Sequence, residues 1–195
     1  ELFCVGGLME NRDKILDAAL LLFTNNRLQK TTTAKITEEA DVSNGTFFYY
    51  FKTKDDLIIS LYKREIESFR SSISEKLSDL SGDEESVKML WFTSVNWFLK
   101  NKASFAFFNM YSTSPDLNYL REKEPAAAFT FVGKVFKQLI ENDLFEDIPS
   151  ELIVSSFYGS IISIFDYCVL SKDDNSKYKE VSFDMWWRSI SKKVS

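Results

Sequence analysis

Apolar residues recur along this chain at three- and four-residue intervals, which is one face of an α-helix, and the alternation of a half-buried strand is missing. Ile15, Ala19, Leu22 and Phe23 share one side of a helix expected over about 10–25. Leu57, Leu61 and Ile66, continued by Phe69, Ile73 and Leu77, mark a long helix over 54–80 that links two parts of the chain, and Ser81-Gly82-Asp83 breaks it. Val87, Trp91, Val95 and Phe98 fall in register over 83–100, and a shorter helix follows over 103–111. Pro125 suits the first turn of a helix to about residue 142, with Phe129, Val132, Phe136 and Ile140 aligned. Pro149-Ser150 opens another that reaches Leu170. A polar loop at 172–176 precedes a last helix ending at Ile190.

Residues 31–54, TTTAKITEEADVSNGTFFYYFKTK, read as two short helices joined by a tight turn. In the first, over 33–40, Ile36 and Ala40 share a face at i, i+4, while Lys35, Glu38 and Glu39 point outward. Asp41-Val42 makes the turn. Ser43 stands at the N-cap position of the second helix, where its hydroxyl can accept from an orphan amide. A helix-turn-helix presents the N-terminal residues of its second helix to base edges in the major groove, while flanking groups hold phosphates. Asn44, Gly45 and Thr46 are small or polar and occupy that position, followed by Phe48 and Tyr49. A run such as Phe47–Phe51 is more often packing than recognition. The i, i+4 pair Phe47 and Phe51 is accordingly assigned to the core against Ile36, and Phe48 and Tyr49 to the outer face. The Tyr49 hydroxyl suits a phosphate oxygen, and Thr33, Lys35, Thr46, Lys52 and Lys54 are further candidate donors.

VSNGTFFYYFKTKDDLI, preceded by RDKILDAALLLF and TTTAKITEEADVS, resembles the N-terminal DNA-binding domain of TetR-family transcriptional regulators over residues 11–62. The shared motif is a valine-serine turn, glycine-threonine, an aromatic cluster, phenylalanine-lysine, and a second lysine opening the next helix. The resemblance implies a dimeric, all-helical repressor whose larger C-terminal domain binds a small molecule and so controls release of its operator. It also implies that the last two long helices form the dimer interface. Two departures stand out. Relatives usually carry glycine near the end of the first helix, where this chain has Asn25-Asn26-Arg27, and Asn26 is the residue able to replace it as a left-handed cap. Ala34 occupies a position where some relatives carry a base-reading arginine, so base reading falls to the second helix. Phe48, where relatives place a tyrosine, offers apolar contact to a thymine methyl but no hydrogen bond.

The net charge of −5 at first argues against a polyanionic partner. Its distribution changes that picture. Residues 9–54 hold seven basic and six acidic side chains, and the remaining seventeen basic and twenty-three acidic residues lie elsewhere. A near-neutral head with a few positioned donors suffices for phosphate contact, and an acidic body discourages indiscriminate coating of a duplex. The chain contains no histidine, which removes Ser-His and Cys-His nucleophile pairs and the commonest metal ligand. It has no glycine-rich phosphate loop, and Glu38-Glu39 and Glu84-Glu85 are neighbours that face apart on a helix. No catalysis, cofactor or metal is expected. Cys4 and Cys168 sit far apart outside any paired motif, as in a reduced cytoplasm, with Cys168 read as a buried apolar residue. No stretch reaches the length of a transmembrane helix. Residues 1–8, ELFCVGGL, lack a signal's charged start and are expected to be a disordered or added remnant before Met9.

Twenty-three of the thirty aromatic residues lie from Tyr62 onward. Trp91, Trp97, Phe105, Phe107, Phe108 and Tyr111 crowd two adjoining helices with more bulk than a compact bundle readily interdigitates, the composition of a cavity for an apolar ligand. Trp91, Phe108, Tyr111 and Phe131 are its expected walls, and Asn96 and Asp166 its polar groups; Asp166, if buried, would favour a cationic lipophilic ligand. Ser155, Gly159 and Ser163 recur every fourth residue, a spacing that lets another helix approach closely, and with Trp186 they are the expected dimer contacts. The expected architecture is all-α. Residues 9–53 form a three-helix helix-turn-helix domain, and 54–195 a larger helical bundle for ligand binding and dimerisation. The expected function is a ligand-responsive regulator of transcription: a dimeric repressor, released from a pseudo-palindromic double-stranded operator by a small, largely apolar or aromatic effector. The competing reading is a helical interaction protein that binds a protein effector instead.

Overall fold

A computed structural model describes residues 2–25, 28–77, 83–123, 136–137, 140–141, 145, 147–171 and 176–192. The helices are α1 (Leu2–Asn25), α2 (Thr33–Glu39), α3 (Asn44–Tyr50), α4 (Lys54–Leu77), α5 (Glu84–Lys100), α6 (Lys102–Thr113), α7 (Asn118–Lys123), α8 (Ser150–Leu170) and α9 (Ser176–Ile190). Single 3-10 turns occupy Leu28–Lys30 and Pro115–Leu117. Apart from one antiparallel bridge between Phe145 and Ser191, the described residues are helix, turn and loop. The fold is all-α, with an N-terminal helix-turn-helix followed along the chain by further helices. α1 takes in Leu2–Leu8, which the apolar pattern left outside the first helix. The Asn26 cap and most of the helix expected over 125–142 lie outside the described residues.

Two compact units emerge, one of residues 1–65 and 102–125, the other of 66–101 and 126–195. In the first, Ile15, Leu16, Ala19 and Phe23 of α1 are buried, and α1 packs on α2, α3 and α6. The rings of Phe23 and Phe107 stack at 6.3 Å, tying α6 to this unit. A polar clasp adds to the apolar contact. Buried Glu65 takes Arg64 on one carboxylate oxygen at 2.8 Å and the Ser104 hydroxyl on the other at 2.6 Å, while Arg64 also reaches Asp17 at 2.7 Å. Each oxygen of the buried carboxylate is satisfied, so the cost of taking a charge out of water is offset. Tyr119 of α7 donates to Asp55 in the first turn of α4 at 2.7 Å.

In the second unit α5, α8 and α9 pack together. Ile153, Val154, Phe157, Ile161, Ile164 and Phe165 form the buried face of α8, and Phe183, Trp186, Trp187 and Ile190 that of α9. Ser156 and Ser160 accept from the indole nitrogens of Trp186 and Trp91, at 3.1 and 2.8 Å. By length and composition α8 could cross a membrane, contrary to the expectation that no stretch is long enough. Its buried face makes it a core helix of this unit.

Side-chain caps set the helix starts. Thr32 Oγ1 accepts the Lys35 amide at 3.3 Å, Ser43 Oγ the Thr46 amide at 3.1 Å, and Asp83 the Ser86 amide at 2.9 Å. Thr53 and Asp56 cap α4 reciprocally, each backbone amide donating to the other's side chain at 3.1 and 3.0 Å. α2 ends in a Schellman turn, with Val42 N donating to Thr37 O at 3.0 Å and Asp41 N to Glu38 O at 3.2 Å. That turn puts Asp41 at φ 51°, the left-handed region where a Cβ crowds the backbone. Aspartate tolerates it; a β-branched residue does not. Asp41→Val should therefore cost about 1–2 kcal/mol of stability in urea unfolding, and Asp41→Gly should cost nothing. Equal midpoints for Asp41→Val and the parent chain would show that the turn relaxes to another conformation.

Candidate nucleic-acid interface

What α3 buries decides what it shows. Phe47 and Phe51, with Ile36 of α2, are fully buried, and the 100° step of a helix then turns the next two residues outward. Phe48 is 47% exposed and Tyr49 65%. Both rings are braced edge-on, Phe48 by Phe47 at 5.2 Å and Tyr49 by Tyr50 at 4.9 Å. Two large aromatics on solvent, beside polar groups, form a surface that a partner with flat apolar faces and charged oxygens would cover.

The start of α3 carries the polar part. Ser43, Asn44 and Gly45 are exposed and Thr46 half-buried. Ser43 Oγ lies 2.9 Å from Thr46 Oγ1 besides capping the Thr46 amide, so these two hydroxyls hold each other in place. Nothing inside the chain calls for glycine at 45. A Cβ there would meet only Ser43 Oγ, at 3.6 Å, an ordinary contact. The missing side chain instead leaves the backbone bare toward solvent, where another molecule can come close.

The cations divide into two kinds. Lys30, Lys35 and Lys52 are exposed, and their side chains make only long or backbone contacts: Lys35 Nζ lies 3.4 Å from Lys30 O, and Lys52 Nζ 3.2 Å from Phe48 O. Thr33 is half-buried at the first position of α2. Lys54, expected as a phosphate donor, is half-buried. Its ammonium donates to Leu28 O at 2.5 Å and lies 5.6 Å from the centre of the Phe23 ring. Burial pulls its pKa below the ordinary lysine value, against the opposing charge of Asp55. Lys54 staples the start of α4 to the 3-10 turn. Thr32 was missed by sequence reasoning; the signal was its hydroxyl directly before a helix start.

Of the six residues expected to form a ligand cavity, three are buried in aromatic packing within their own units and two are exposed. Trp91 is buried in the second unit, with Phe92 and Phe183 against its ring at 5.2 and 5.8 Å. Phe108 and Tyr111 are buried in the first, packed on Tyr62 at 5.7 and 3.9 Å. Asn96 is exposed and accepts from Lys179 at 3.0 Å, Asp166 is exposed, and Phe131 lies outside the described residues. Helix phase is the reason: both polar residues fall on the solvent side of helices whose other side is core. An open concavity of about 370 Å³ lies on the first unit, lined by Lys14, Asp17, Ala18, Leu21, Glu39 and Ala40, and its mixed charges do not match the expected aromatic chamber.

Of the expected dimer contacts, Ser155, Gly159 and Ser163 form an exposed row on α8, and a Cβ on Gly159 would meet nothing within 4 Å. Leu152, Tyr167 and Leu170 on the same helix, and Tyr178, Val181 and Met185 on α9, are exposed apolar residues. Trp186 is a correction. It is 6% exposed and packs on Phe157 at 5.2 Å, so the core of its own chain uses it. Cys168, expected buried, is half-buried.

A family model described as bacterial regulatory proteins of the tetR family matches residues 15–61. The fatty acid metabolism regulator protein of Bacillus subtilis is 30% identical over 77 residues, 40% of each chain. An HTH-type transcriptional regulator of Staphylococcus aureus is 23% identical over 158 residues, 80% of this chain and 82% of that one. Among solved structures, a TetR-family transcription regulator from Shewanella sp. PV-4 superposes with a TM-score of 0.83 at 26% identity, over 94% of this chain and 99% of the other.

Gly45 separates fold from interface. Gly45→Ala should leave stability unchanged or raise it by up to about 1 kcal/mol in urea unfolding, since alanine is the better helix former, while weakening association with duplex DNA. A drop in stability would show that the glycine serves the fold.

Proposed function

Taking as premise that the chain is a TetR-family transcriptional regulator and not an enzyme, we propose that it works as a cytoplasmic homodimeric repressor, released from a pseudo-palindromic operator by a small, largely apolar effector. The observation that carries this reading is the outward face of α3: exposed Phe48 and Tyr49 beside Ser43, Asn44, Gly45 and Thr46, on a helix whose inner face is fully buried. Asn44, Gly45 and Thr46 face base edges. Phe48 meets a thymine methyl, the Tyr49 hydroxyl a phosphate, and Lys35 and Thr33 neighbouring phosphates. Lys30 and Lys52 extend the positive rim.

Two copies of α3 read two half-sites about one helical turn (~34 Å) apart or a multiple of it, which requires a symmetric pair. The exposed apolar face of α8 and α9 supports that pairing. Large side chains, Leu152, Tyr167, Tyr178 and Met185 among them, flank a shallow row of Ser155, Gly159 and Ser163 into which a partner helix can seat. An isologous contact there covers surface that a monomer would leave in water. The effector acts on the aromatic body and shifts the operator-competent state only by its differential affinity for the two states. The name of the Bacillus subtilis relative puts fatty acyl chains first among effectors to try.

The dimer and the interface can be tested separately. Gly159→Glu adds a charge where the monomer has open space, so the helix content should persist while light scattering reports half the parent mass and operator affinity collapses. A dimer of unchanged mass would place the contact elsewhere. Tyr49→Ala and Thr46→Ala should keep the dimer mass but weaken a gel shift of DNA from the gene's own neighbourhood about tenfold, as loss of one good contact would. Parent affinity should fall steeply with salt, with a slope near −0.9 per phosphate contacted. Full affinity in both variants would remove Tyr49 and Thr46 from the interface.

A further inference from the structure

Thr37 lies on α2 and is 6% exposed, and its hydroxyl reaches the first residue of α3. Its Oγ1 is 3.2 Å from the side-chain Oδ1 of Asn44 and 3.0 Å from the carbonyl of Ala34. Asn44 is exposed at the first position of α3. We infer that Thr37 is a positioning residue for base reading: from beneath the interface it fixes the side-chain amide of Asn44, and so determines which edge that amide turns toward DNA. This rests on the DNA-binding reading above.

The chemistry follows from the two ends of a primary amide. One end is a carbonyl that only accepts, the other an NH2 that only donates, and a freely turning asparagine presents either. Held at one end by the Thr37 hydroxyl, the amide presents the other. An NH2 turned outward matches acceptors on the major-groove edge, guanine O6 and N7, adenine N7 or thymine O4, and a carbonyl turned outward matches the amino groups of cytosine and adenine. The Thr37 hydroxyl has one hydrogen for two acceptors, Ala34 O at 3.0 Å and Asn44 Oδ1 at 3.2 Å, and its oxygen can in turn accept, so the group meets the amide by whichever end complements it from a buried helix face. Valine has the same shape and lacks the hydroxyl. Without it Asn44 turns freely and the distinction between donor and acceptor edges is lost at one base pair per half-site. Ser43 and Thr46 bind each other and have no such anchor in α2.

The test selects preferred duplexes from a randomised pool with the full-length parent chain, then measures binding of all four base pairs at each position for Thr37→Val, Thr37→Ser and Asn44→Ala. Thr37→Val is expected to relax discrimination about tenfold at a single base pair per half-site, the one that Asn44→Ala relaxes, with thermal midpoint, dimer mass and salt slope unchanged. Thr37→Ser, which keeps the hydroxyl, should retain the preference. In the double variant Thr37→Val with Asn44→Ala, the loss should equal that of Asn44→Ala alone. The inference is overturned if Thr37→Val keeps full discrimination, relaxes a different base pair from Asn44→Ala, or weakens all sequences equally. Should Thr37→Val prove unstable, the Asn44→Ala and Thr37→Ser profiles decide: a preference altered by Thr37→Ser, or untouched by Asn44→Ala, sinks it. A parent chain that selects no sequence at all sinks the DNA reading first, and this inference with it.

Discussion

A seven-residue helix cannot hold its shape in water, because nucleation is costly and isolated helices below roughly 12–15 residues are marginal. α3 is such a helix, and it keeps its shape because Phe47 and Phe51 are sunk into the head beside Ile36. Removing one buried phenylalanine typically costs about 3–5 kcal/mol, a large part of a small domain's stability. The cap from Ser43 secures the first turn, and the Schellman turn through Asp41 sets the entry of the chain into it. With the inner face committed, helical geometry leaves Phe48 and Tyr49 no inward option. Exposure that would be a flaw in an ordinary core helix is here the consequence of the packing beneath.

Around that helix, the head divides its polar groups by task. Lys54 and Glu65 are charged residues withdrawn into structure, the first beneath a ring and a carbonyl, the second between Arg64 and Ser104. Lys35 and Lys52 stay on the surface. Burying a charge is tolerable only where hydrogen bonds and an opposite charge or ring replace water, and those are the conditions met at both sites. The surface lysines keep their charge in water, where neutralising phosphates would release counterions and so make binding salt-dependent.

The second unit shows a similar economy on α8. Its serines come in two rows. Ser156 and Ser160 face inward and accept from tryptophan indoles, while Ser155 and Ser163 face outward with Gly159 between them. One row satisfies buried donors, and the other keeps a surface shallow. The apolar character that gives α8 the composition of a membrane helix comes from having a core on one side and an uncovered apolar face on the other.

Periodicity in the chain was enough to establish the all-α class, most helix positions and the helix-turn-helix, because three-to-four spacing and capping residues are local properties. The same logic separated Phe47 and Phe51 from Phe48 and Tyr49. It failed where a side chain's role depends on a distant neighbour. Lys54 reads as a surface cation until Phe23 and Leu28 O, more than twenty residues earlier, are seen to enclose it. Trp186 reads as an interface residue until Phe157 and Ser156 are seen against it, and Asn96 and Asp166 as cavity groups until helix phase turns them to solvent. Likewise α6 follows α5 directly in the chain, yet it packs on α1 through Phe107 and Phe23. Local sequence determines which elements form and which face of each is apolar. Tertiary structure alone decides which polar groups those faces enclose, because burial is a property of the neighbours and not of the residue.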